Sequence, residues 1–195
     1  MADKFIEFRK QPTRSELKRE NRELKVDSVT GLPQRRQWFS EADRELNHAK
    51  RRNEKIGVLF IDVDNLKKVN DNKEWGGHHM GDLYLGTFGG TIKEHLRSED
   101  LAGRIGGDEL VILVRLGEKE DVYNVSSRLE QKLKESVKNQ LSGTSIPQDL
   151  IDFSLGVATM QDDDTVDSLV KRADEAMYKV KNDKKARQNQ IQMSE

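Results

Sequence analysis

The spacing of apolar residues along the chain predicts alternating helices and strands. Four of them recur at intervals of three or four positions and predict a helix over residues 35–52 with one buried face: Trp38, Ala42, Leu46 and Ala49. Residues 56–64 form a nearly continuous apolar run that ends in carboxylates. Such a run is typical of a strand that is buried on both faces and opens into a site at its C-terminal end. We therefore expect function near Asp62 and Asp64.

The rest of the pattern predicts a short helix, a Gly/His-rich loop, a helix, two short strands, a helix, a strand and a last helix. Their predicted ranges are, in order, 66–70, 72–81, 82–96, 101–105 with 110–115, about 120–139, 151–159 and 166–181. Gly106-Gly107 joins the two short strands, which fits a tight hairpin that requires positive φ angles. This order predicts an α/β (α+β) domain of ferredoxin-like βαββαβ plan, with a central mixed sheet, helices to one side and extra helices.

The two ends of the chain differ in composition from the part between them. Residues 1–26 are highly charged and are predicted to form a helical extension or stalk. Leu17 and Leu24 lie seven positions apart with an Asn between them, which suits a short parallel coiled coil, and a solvent-exposed helix fits equally well. Residues 182–195 are polar and are expected to form a mobile tail. The folded domain is then expected to cover 27–181.

Composition excludes several classes of partner and site. The 195 residues are enough for about one domain, and 34 Lys and Arg against 35 Asp and Glu give a net charge of -1. No overall field therefore attracts nucleic acid or anionic lipid, and an anion site has to be local. There is no Cys, which excludes disulfides and thiolate chemistry, and no apolar stretch is long enough for a membrane span. We expect a soluble cytoplasmic chain without nucleic-acid or membrane contacts.

Carboxylates near two predicted strand ends are the main candidates for chemistry. Asp62 ends the first strand, and Asp108 and Glu109 follow the Gly-Gly turn of the hairpin. Two carboxylates and a backbone carbonyl suit Mg²⁺, which keeps its other positions for water and phosphate oxygens. Gly106 and Gly107 leave backbone N–H groups accessible to a triphosphate. On these features alone, ordinary solvated carboxylates remain the favoured interpretation.

The segment GRIGGDELVIL resembles the signature of the GGDEF family of diguanylate cyclases. Six other segments resemble family motifs in the family's order: DSVTGLPQRR, FIDVDNLKKVND, GHHMGD, RSED, FSLGVA and RADEAMYKVK. Together they cover residues 27–181. The resemblance implies the palm fold of nucleotide cyclases and polymerases, which agrees with the plan predicted from the pattern.

The resemblance also implies roles for individual residues. Asp62 and Asp108, with the Val63 carbonyl, would hold two Mg²⁺ (or Mn²⁺) per GTP half-site, and Asp108 would help to deprotonate the attacking 3′-hydroxyl. Glu109 and Lys67 join Asp108 as expected catalytic residues. The other residues implied in nucleotide binding are Asn70 and Asp82 for the guanine edge, and Leu66, Gly106, Gly107, Lys181 and Lys185 for the rest of the nucleotide. Related enzymes that accept adenine replace the aspartate, so Asp82 favours GTP.

The implied reaction condenses two GTP into cyclic di-GMP and two pyrophosphates. One domain binds one GTP, so two domains must face each other, and we expect a homodimer formed by domain pairing and the N-terminal helix. Arg97 and Asp100 match the family's RxxD site, at which cyclic di-GMP would bind and inhibit. A second hypothesis is a catalytically silent GGDEF domain that binds GTP or cyclic di-GMP as a signalling module.

Four segments depart from the family pattern. Leu110 replaces the signature Phe, and Gln34 replaces an Asn. The segment between Asn70 and Gly77 is about three residues longer than usual, which inserts bulk between two expected guanine ligands. Lys184-Lys185-Ala186 replaces Gly-Arg-Asn, so that a lysine stands where an arginine normally binds phosphate. His78 and His79 are adjacent and point different ways, which does not favour a transition-metal site.

Overall fold

The computed structural model describes residues 25–117 and 120–192, so almost all of the predicted N-terminal extension lies outside the described residues. The α-helices and strands of these ranges are α1 Arg35–Arg52, β1 Lys55–Val63, α2 Leu66–Asp71, α3 Gly77–His95, β2 Leu101–Arg104, β3 Glu109–Leu116, α4 Val122–Leu141, β4 Phe153–Thr159 and α5 Val166–Gln192. A short 3-10 turn, Gln148–Leu150, precedes β4. The predicted strands and helices are present, with some ends shifted.

The four strands form one sheet in the order β2-β3-β1-β4, and every neighbouring pair is antiparallel. The helical connections from β1 to β2 and from β3 to β4 each skip one position in the sheet. Two parallel strands are therefore always separated by an antiparallel neighbour. The ferredoxin-like plan is confirmed, whereas the expectation of a mixed sheet is wrong.

Alternate residues of β1 enter two separate cores. Leu59 and Ile61 pack with residues of α3 and α4, while Val58 and Phe60 pack with residues of α1 and α5. Helices thus cover both faces of the sheet, and the expectation of helices on one side is wrong. Burial on both faces also explains why the apolar run of β1 is continuous rather than alternating. By the same alternation, Asp62 lies on the face covered by α1 and α5.

Two helices have ends that differ from the prediction. Helix α3 begins at Gly77 rather than Asp82, because Gly76 and Gly77 adopt positive φ angles of 110° and 59° that turn the chain into the helix earlier. Helix α5 continues from Lys181 to Gln192, so the tail expected to be mobile is helical over this length. Residues 182–192 contain neither Gly nor Pro, and nothing in them ends the helix. None of the described helices has the combined length and apolarity needed to cross a membrane.

Candidate active site at the ends of β1 and β3

The register of the sheet brings the predicted carboxylates together. Asp62 lies opposite Glu109 of β3 on one side and opposite Ser154 of β4 on the other. The Val63 N–H donates to the carbonyl oxygen of Asp108 at 2.9 Å, which fixes the end of β1 against the hairpin turn. The convergence of Asp62 with Asp108 and Glu109 that the sequence predicts is therefore present in the structure.

Asp62 is a buried carboxylate with a lysine partner. Its residue is only 8% exposed, and its Oδ1 accepts a hydrogen bond from Lys181 Nζ of α5 at 2.5 Å. Lys181 Nζ also lies 3.8 Å from Asp64 Oδ1. Burial alone lowers the pKa of the Lys181 ammonium, but the hydrogen bond and the charges of Asp62, Asp64 and Asp108 raise it overall. Lys181 is therefore charged and serves as the counter-ion of Asp62.

Further carboxylates surround this pair and repel one another. The pKa of Glu109 is raised, first by burial and then by the negative charges of Asp108, Asp174 and Asp62. The pKa of Asp174 is raised in turn by burial and by the charges of Glu175 and Asp62. Asp174 was not among the residues expected from the sequence. It lies seven positions before Lys181 on α5, and this two-turn spacing on one helix face is the signal that could have identified it.

The carboxylate and carbonyl oxygens at this end of the sheet are suitable ligands for a divalent cation. They are hard oxygen ligands. Burial is the main cause that raises the pKa of Glu109 and Asp174, and the neighbouring negative charges, which a cation would neutralise, add to it. In the described ranges, no group of three or more His, Cys, Asp or Glu side chains is arranged as a ready-made metal site. Asp62, Asp108 and the Val63 carbonyl are therefore the candidate protein ligands, and other ligands have to come from water or substrate.

The Gly-Gly turn differs from the prediction in its backbone geometry. Neither Gly106 nor Gly107 has a positive φ angle, so the expectation of such angles in this hairpin is wrong. A Cβ at Gly106 would lie 2.1 Å from Glu109 Oε2, so a larger residue there would require the Glu109 side chain to move. A Cβ at Gly107 would have no atom within 4 Å, which leaves that part of the turn open.

Arg104 binds the backbone of the Gly106-Gly107 turn. Its guanidinium donates to the carbonyl oxygens of Gly106 at 3.1 Å and Gly107 at 2.6 Å. It also forms a salt bridge of 3.0 Å with Asp27, whose side chain accepts from the backbone and hydroxyl of Thr30. Of the two glycine N–H groups of the turn, that of Gly106 donates to the Glu109 carbonyl at 3.4 Å. Arg104 and Asp27 lie within quoted motifs, but no role was expected for either.

The two expected guanine ligands are neighbours. A Cβ at Gly81 would lie 1.8 Å from Asn70 Oδ1, which shows that the Asn70 amide rests against the backbone of α3 immediately before Asp82. The Asp82 side chain is exposed, as is that of Lys67, whereas Leu66 is buried. Glycine at position 81 is what permits this close approach.

The long segment before α3 folds away from these two residues. Asn72 Oδ1 accepts from the Trp75 N–H at 3.1 Å, and the Gly77 N–H donates to the Asn72 carbonyl at 3.0 Å. The Ser145 hydroxyl donates to the Trp75 carbonyl at 2.7 Å. The extra residues therefore form a compact turn docked near the end of α4, and the expectation that they insert bulk between Asn70 and Asp82 is wrong.

Lys184, rather than Lys185, is the lysine bound at the end of the sheet. Its Nζ lies 2.8 Å from Asp152 Oδ2, 2.6 Å from the Phe153 carbonyl oxygen and 3.5 Å from Asp64 Oδ2. Lys185 is exposed, and no hydrogen bond or ion pair of its ammonium is found within residues 25–117 and 120–192. Lys185, for which the family resemblance implies a role in nucleotide binding, therefore has an ammonium group available to phosphate.

Tyr84 joins the same two backbone segments from within the core. Its residue is fully buried, and its hydroxyl lies 3.1 Å from the Asp64 carbonyl and 3.0 Å from the Asp152 carbonyl. Burial is the main cause that raises the pKa of this phenol well above its ordinary value. Tyr84 therefore stays neutral and ties the end of β1 to the start of β4. Its sequence position gives no sign of this role, because an aromatic residue on a helix is usually part of the core.

The RxxD segment lies at the other end of β2 from the Gly-Gly turn. The Arg97 N–H donates to Asp100 Oδ2 at 3.1 Å, and the Asp100 N–H donates to the Arg97 carbonyl at 3.1 Å. The two residues thus form one closed loop. The strand between the two segments, Leu101–Arg104, spans about 13 Å at ~3.3 Å per residue, so the segments form separate sites.

Two further side chains join Arg97 that the sequence did not identify. The Arg97 guanidinium donates two hydrogen bonds to Glu120, and Arg128 Nη2 of α4 lies 3.8 Å from Glu120 Oε1. Arg128 therefore supplies a second guanidinium beside Arg97. Both residues lie outside the RxxD motif and join Arg97 only through the fold.

Comparisons with known proteins identify the family of the chain. The family model described as "Diguanylate cyclase, GGDEF domain" matches residues 24–187. The chain is 33% identical over 186 residues to the bifunctional diguanylate cyclase/cyclic di-GMP phosphodiesterase MucR of Pseudomonas aeruginosa, covering 93% of this chain and 26% of MucR. It is 32% identical over 160 residues to the diguanylate cyclase DgcP of Escherichia coli, covering 82% of this chain and 45% of DgcP. The chain thus spans less than half the length of these relatives.

Solved structures show the same fold. The coiled coil and GGDEF domain of DgcB from Caulobacter crescentus, solved in complex with c-di-GMP, superimposes with a TM-score of 0.71 at 24% identity and covers 87% of this chain and 86% of that one. The diguanylate cyclase SiaD of Pseudomonas aeruginosa, solved in complex with its activator SiaC, has a TM-score of 0.68 at 27% identity and covers 87% of this chain and 64% of its own. The palm fold, the ordered motifs and the family match lead to one conclusion: the chain belongs to the GGDEF family of diguanylate cyclase domains.

Proposed function

We propose that this chain is an active diguanylate cyclase domain, which condenses two GTP into cyclic di-GMP and two pyrophosphates. The observation that carries the proposal is the convergence of buried Asp62 with Asp108 and Glu109, held by the register of β1 and β3. A silent binding module has no chemical need for a carboxylate cluster at the open end of the sheet, in which burial and the neighbouring charges raise the pKa of Glu109.

Asp62, Asp108 and the Val63 carbonyl are the proposed ligands of Mg²⁺ or Mn²⁺, two per GTP half-site. When bound, these cations neutralise the triphosphate and so lower the barrier to phosphoryl transfer. Asp108 is the proposed acceptor of the proton from the attacking 3′-hydroxyl, since its carboxylate lies at the open turn. Glu109 and Lys67 are the other proposed catalytic side chains, one beside Asp62 and one exposed on α2.

The nucleotide is proposed to bind along α2, the Gly-Gly turn and α5. The adjacent Asn70 and Asp82 side chains pair with the guanine edge, because an amide and a carboxylate together match its N3, N2 and N1 groups. Leu66 provides an apolar contact, and the Gly107 N–H of the open turn is offered to phosphate oxygens. The Gly106 N–H donates to the Glu109 carbonyl at 3.4 Å and would have to exchange that partner for a phosphate oxygen. Lys181 and Lys185 are the proposed phosphate-binding ammonium groups of α5.

Catalysis requires two copies of the domain. Each half-site holds one GTP, and a domain cannot form a bond from its own nucleotide to itself, so a two-fold homodimer is proposed. The N-terminal extension is the proposed element that sets how the two domains face each other. Cyclic di-GMP is the proposed ligand of Arg97 and Asp100, at which it inhibits synthesis from outside the GTP site.

Incubation of the purified chain with GTP and Mg²⁺, followed by chromatography for cyclic di-GMP, tests the proposal. Product is expected with GTP and not with ATP, and it is expected to disappear on chelation of the metal. A chain that binds GTP in calorimetry yet forms no cyclic di-GMP is a silent GGDEF domain, and that result would refute the proposed activity.

A further inference from the structure

The guanidinium of Arg97 already holds an anion within the chain. Its Nη1 donates to Glu120 Oε2 at 3.0 Å and its Nη2 donates to Glu120 Oε1 at 2.7 Å, so the pair is bidentate. The hydrogen bond with Arg97 is the main cause that lowers the pKa of the Glu120 carboxyl, and the same bond raises the pKa of Arg97. Both groups are therefore fully charged near neutral pH.

A phosphodiester group uses the same donors as this carboxylate. The two parallel N–H groups of a guanidinium match two oxygens of either anion, and they cannot serve both at once in the same geometry. A phosphate that approaches Arg97 through this fork must therefore displace Glu120. From this geometry we propose that Glu120 is an internal competitor for Arg97 and sets the affinity of the RxxD site for cyclic di-GMP. This inference rests on the proposed product site.

The surroundings of Glu120 favour an exchange of partners. Arg128 lies 3.8 Å from Glu120 Oε1 and is largely exposed, so it offers a second guanidinium to the displaced carboxylate. The Gly117 N–H also donates to Glu120 Oε2 at 3.3 Å. Glu120 can therefore leave Arg97 without becoming an unpaired charge, which keeps the cost of displacement low.

The shape of the RxxD loop does not depend on Glu120. Asp100 accepts from the backbone N–H groups of Arg97 at 3.1 Å and Arg115 at 3.4 Å, and these bonds close the loop by themselves. Replacing Glu120 by Gln keeps the size of the side chain and an oxygen acceptor for Gly117. The substitution therefore removes the competing charge and leaves the ligand site formed.

The expected change in affinity for cyclic di-GMP follows from the solvent exposure of the Arg97 and Glu120 side chains. The Arg97 and Glu120 side chains are 43% and 21% exposed, so water and salt weaken their attraction. Exposed ion pairs contribute little free energy, and we expect Glu120→Gln to tighten cyclic di-GMP binding by about three- to tenfold at low salt. The gain should shrink at high ionic strength, because salt screens the pair that is being removed.

Titration calorimetry of cyclic di-GMP into the full chain, freed of bound nucleotide, tests this role in four variants. Glu120→Gln is expected to bind more tightly than the wild type, and Arg97→Ala is expected to bind at least about tenfold more weakly. The double variant is expected to bind as weakly as Arg97→Ala alone, since competition requires the arginine. Glu130→Gln is the matched control, because Glu130 is an exposed acid on α4 that pairs with Lys134 at 2.6 Å.

Some results would refute the competition by Glu120, and others would refute the proposed product site as well. Unchanged affinity in Glu120→Gln refutes the competition. An equal gain in Glu130→Gln, or a gain that persists in the Arg97→Ala background, shows a general effect of negative charge and also refutes it. If Arg97→Ala binds cyclic di-GMP as tightly as the wild type, or if no variant binds it, the proposed RxxD product site is wrong and the role of Glu120 falls with it. Synthesis of cyclic di-GMP from GTP is measured separately and is not affected by that outcome.

Discussion

The carboxylate of Asp62 has a partner in the structure that competes with its proposed ligand. Its Oδ1 accepts a 2.5 Å hydrogen bond from Lys181, while the proposed reaction needs the carboxylate for a divalent cation. The two positive charges repel each other, and a cation that binds through Oδ1 displaces the ammonium, for which Asp64 at 3.8 Å is the nearest other carboxylate. A displaced ammonium is then available to the triphosphate, and this would couple metal and nucleotide binding through one lysine.

Replacing Lys181 by Met should strengthen the binding of metal in the absence of nucleotide. With the competing ammonium removed, Mn²⁺ alone should bind about tenfold more tightly, an effect comparable to losing one partly buried ion pair. Titration followed by electron paramagnetic resonance measures this directly. Lys185→Met removes the same charge from an exposed position and is the control, and equal gains in both variants would contradict direct competition.

Asp108→Ala should abolish synthesis of cyclic di-GMP and leave the fold intact. The substitution removes a proposed metal ligand, for which we expect a loss of turnover of about a hundredfold or more. Within the described residues no hydrogen bond to the Asp108 carboxylate is found, so the free energy of unfolding should change by less than about 0.5 kcal/mol. Chemical denaturation and product chromatography on the same sample measure both quantities. Turnover like that of the wild type would refute the metal assignment.

Asp82→Ser should weaken the preference for GTP over ATP. A carboxylate accepts hydrogen bonds from guanine N1 and N2, whereas adenine offers no donors at those positions. A serine can both donate and accept, so it no longer excludes adenine. Calorimetry of GTP binding in the presence of competing ATP measures the preference. If the preference is unchanged, guanine is recognised by other residues.

At the scale of elements, the pattern of apolar residues predicted the strands and most helices, and it was less informative about ends. The run of β1 identified a strand buried on both faces, so both faces had to be covered. A continuous run does not indicate which helix lies on which face, and the expectation of helices on one side was wrong for this reason. The early start of α3 depends on the φ angles of Gly76 and Gly77, which a sequence does not display. The Gly-Gly turn was predicted as a hairpin, and its first glycine lies against the Glu109 side chain without a positive φ angle.

The extension of α5 is the element with the greatest consequence for the site. Its lysine pattern indicated phosphate binding, but only the fold separates a bound lysine from a free one. Lys184 is held by Asp152, the Phe153 carbonyl and Asp64, and this contact ties the last turns of α5 to the end of the sheet. Lys181, about one turn earlier, is thereby kept against Asp62.

Lys184→Met should loosen the last turns of α5. Because the ion pair with Asp152 is about one-third exposed, its loss should cost ~1 kcal/mol and reduce protection of the amides of residues 182–192 by about fivefold. Hydrogen exchange with mass spectrometry measures this change. Asp152→Asn should have the same effect, whereas Lys185→Met should not. Equal exchange in all four proteins would show that α5 is held by its apolar face alone.

At the scale of the whole molecule, the motifs were enough to locate the candidate carboxylates, because those that carry them lie at the end of β1 and at the hairpin turn before β3. The contacts around those carboxylates could not be predicted in the same way. Asp174, Tyr84 and Glu120 reach the two sites from elsewhere in the chain, and the sheet order and helix packing bring them there. Long-range packing is therefore what the sequence could not supply.

The proposed chemistry also requires a dimer, because two half-sites must face each other for each product molecule. Turnover per chain should consequently fall on dilution, as dimers dissociate by mass action. Adding an excess of the Asp108→Ala chain should suppress the wild-type activity, because mixed dimers contain only one competent half-site. Saturating GTP prevents simple depletion of substrate, and an equal excess of serum albumin controls for crowding. If turnover per chain is independent of concentration and of the added variant, one chain completes the reaction alone, and the proposed two-fold mechanism is wrong.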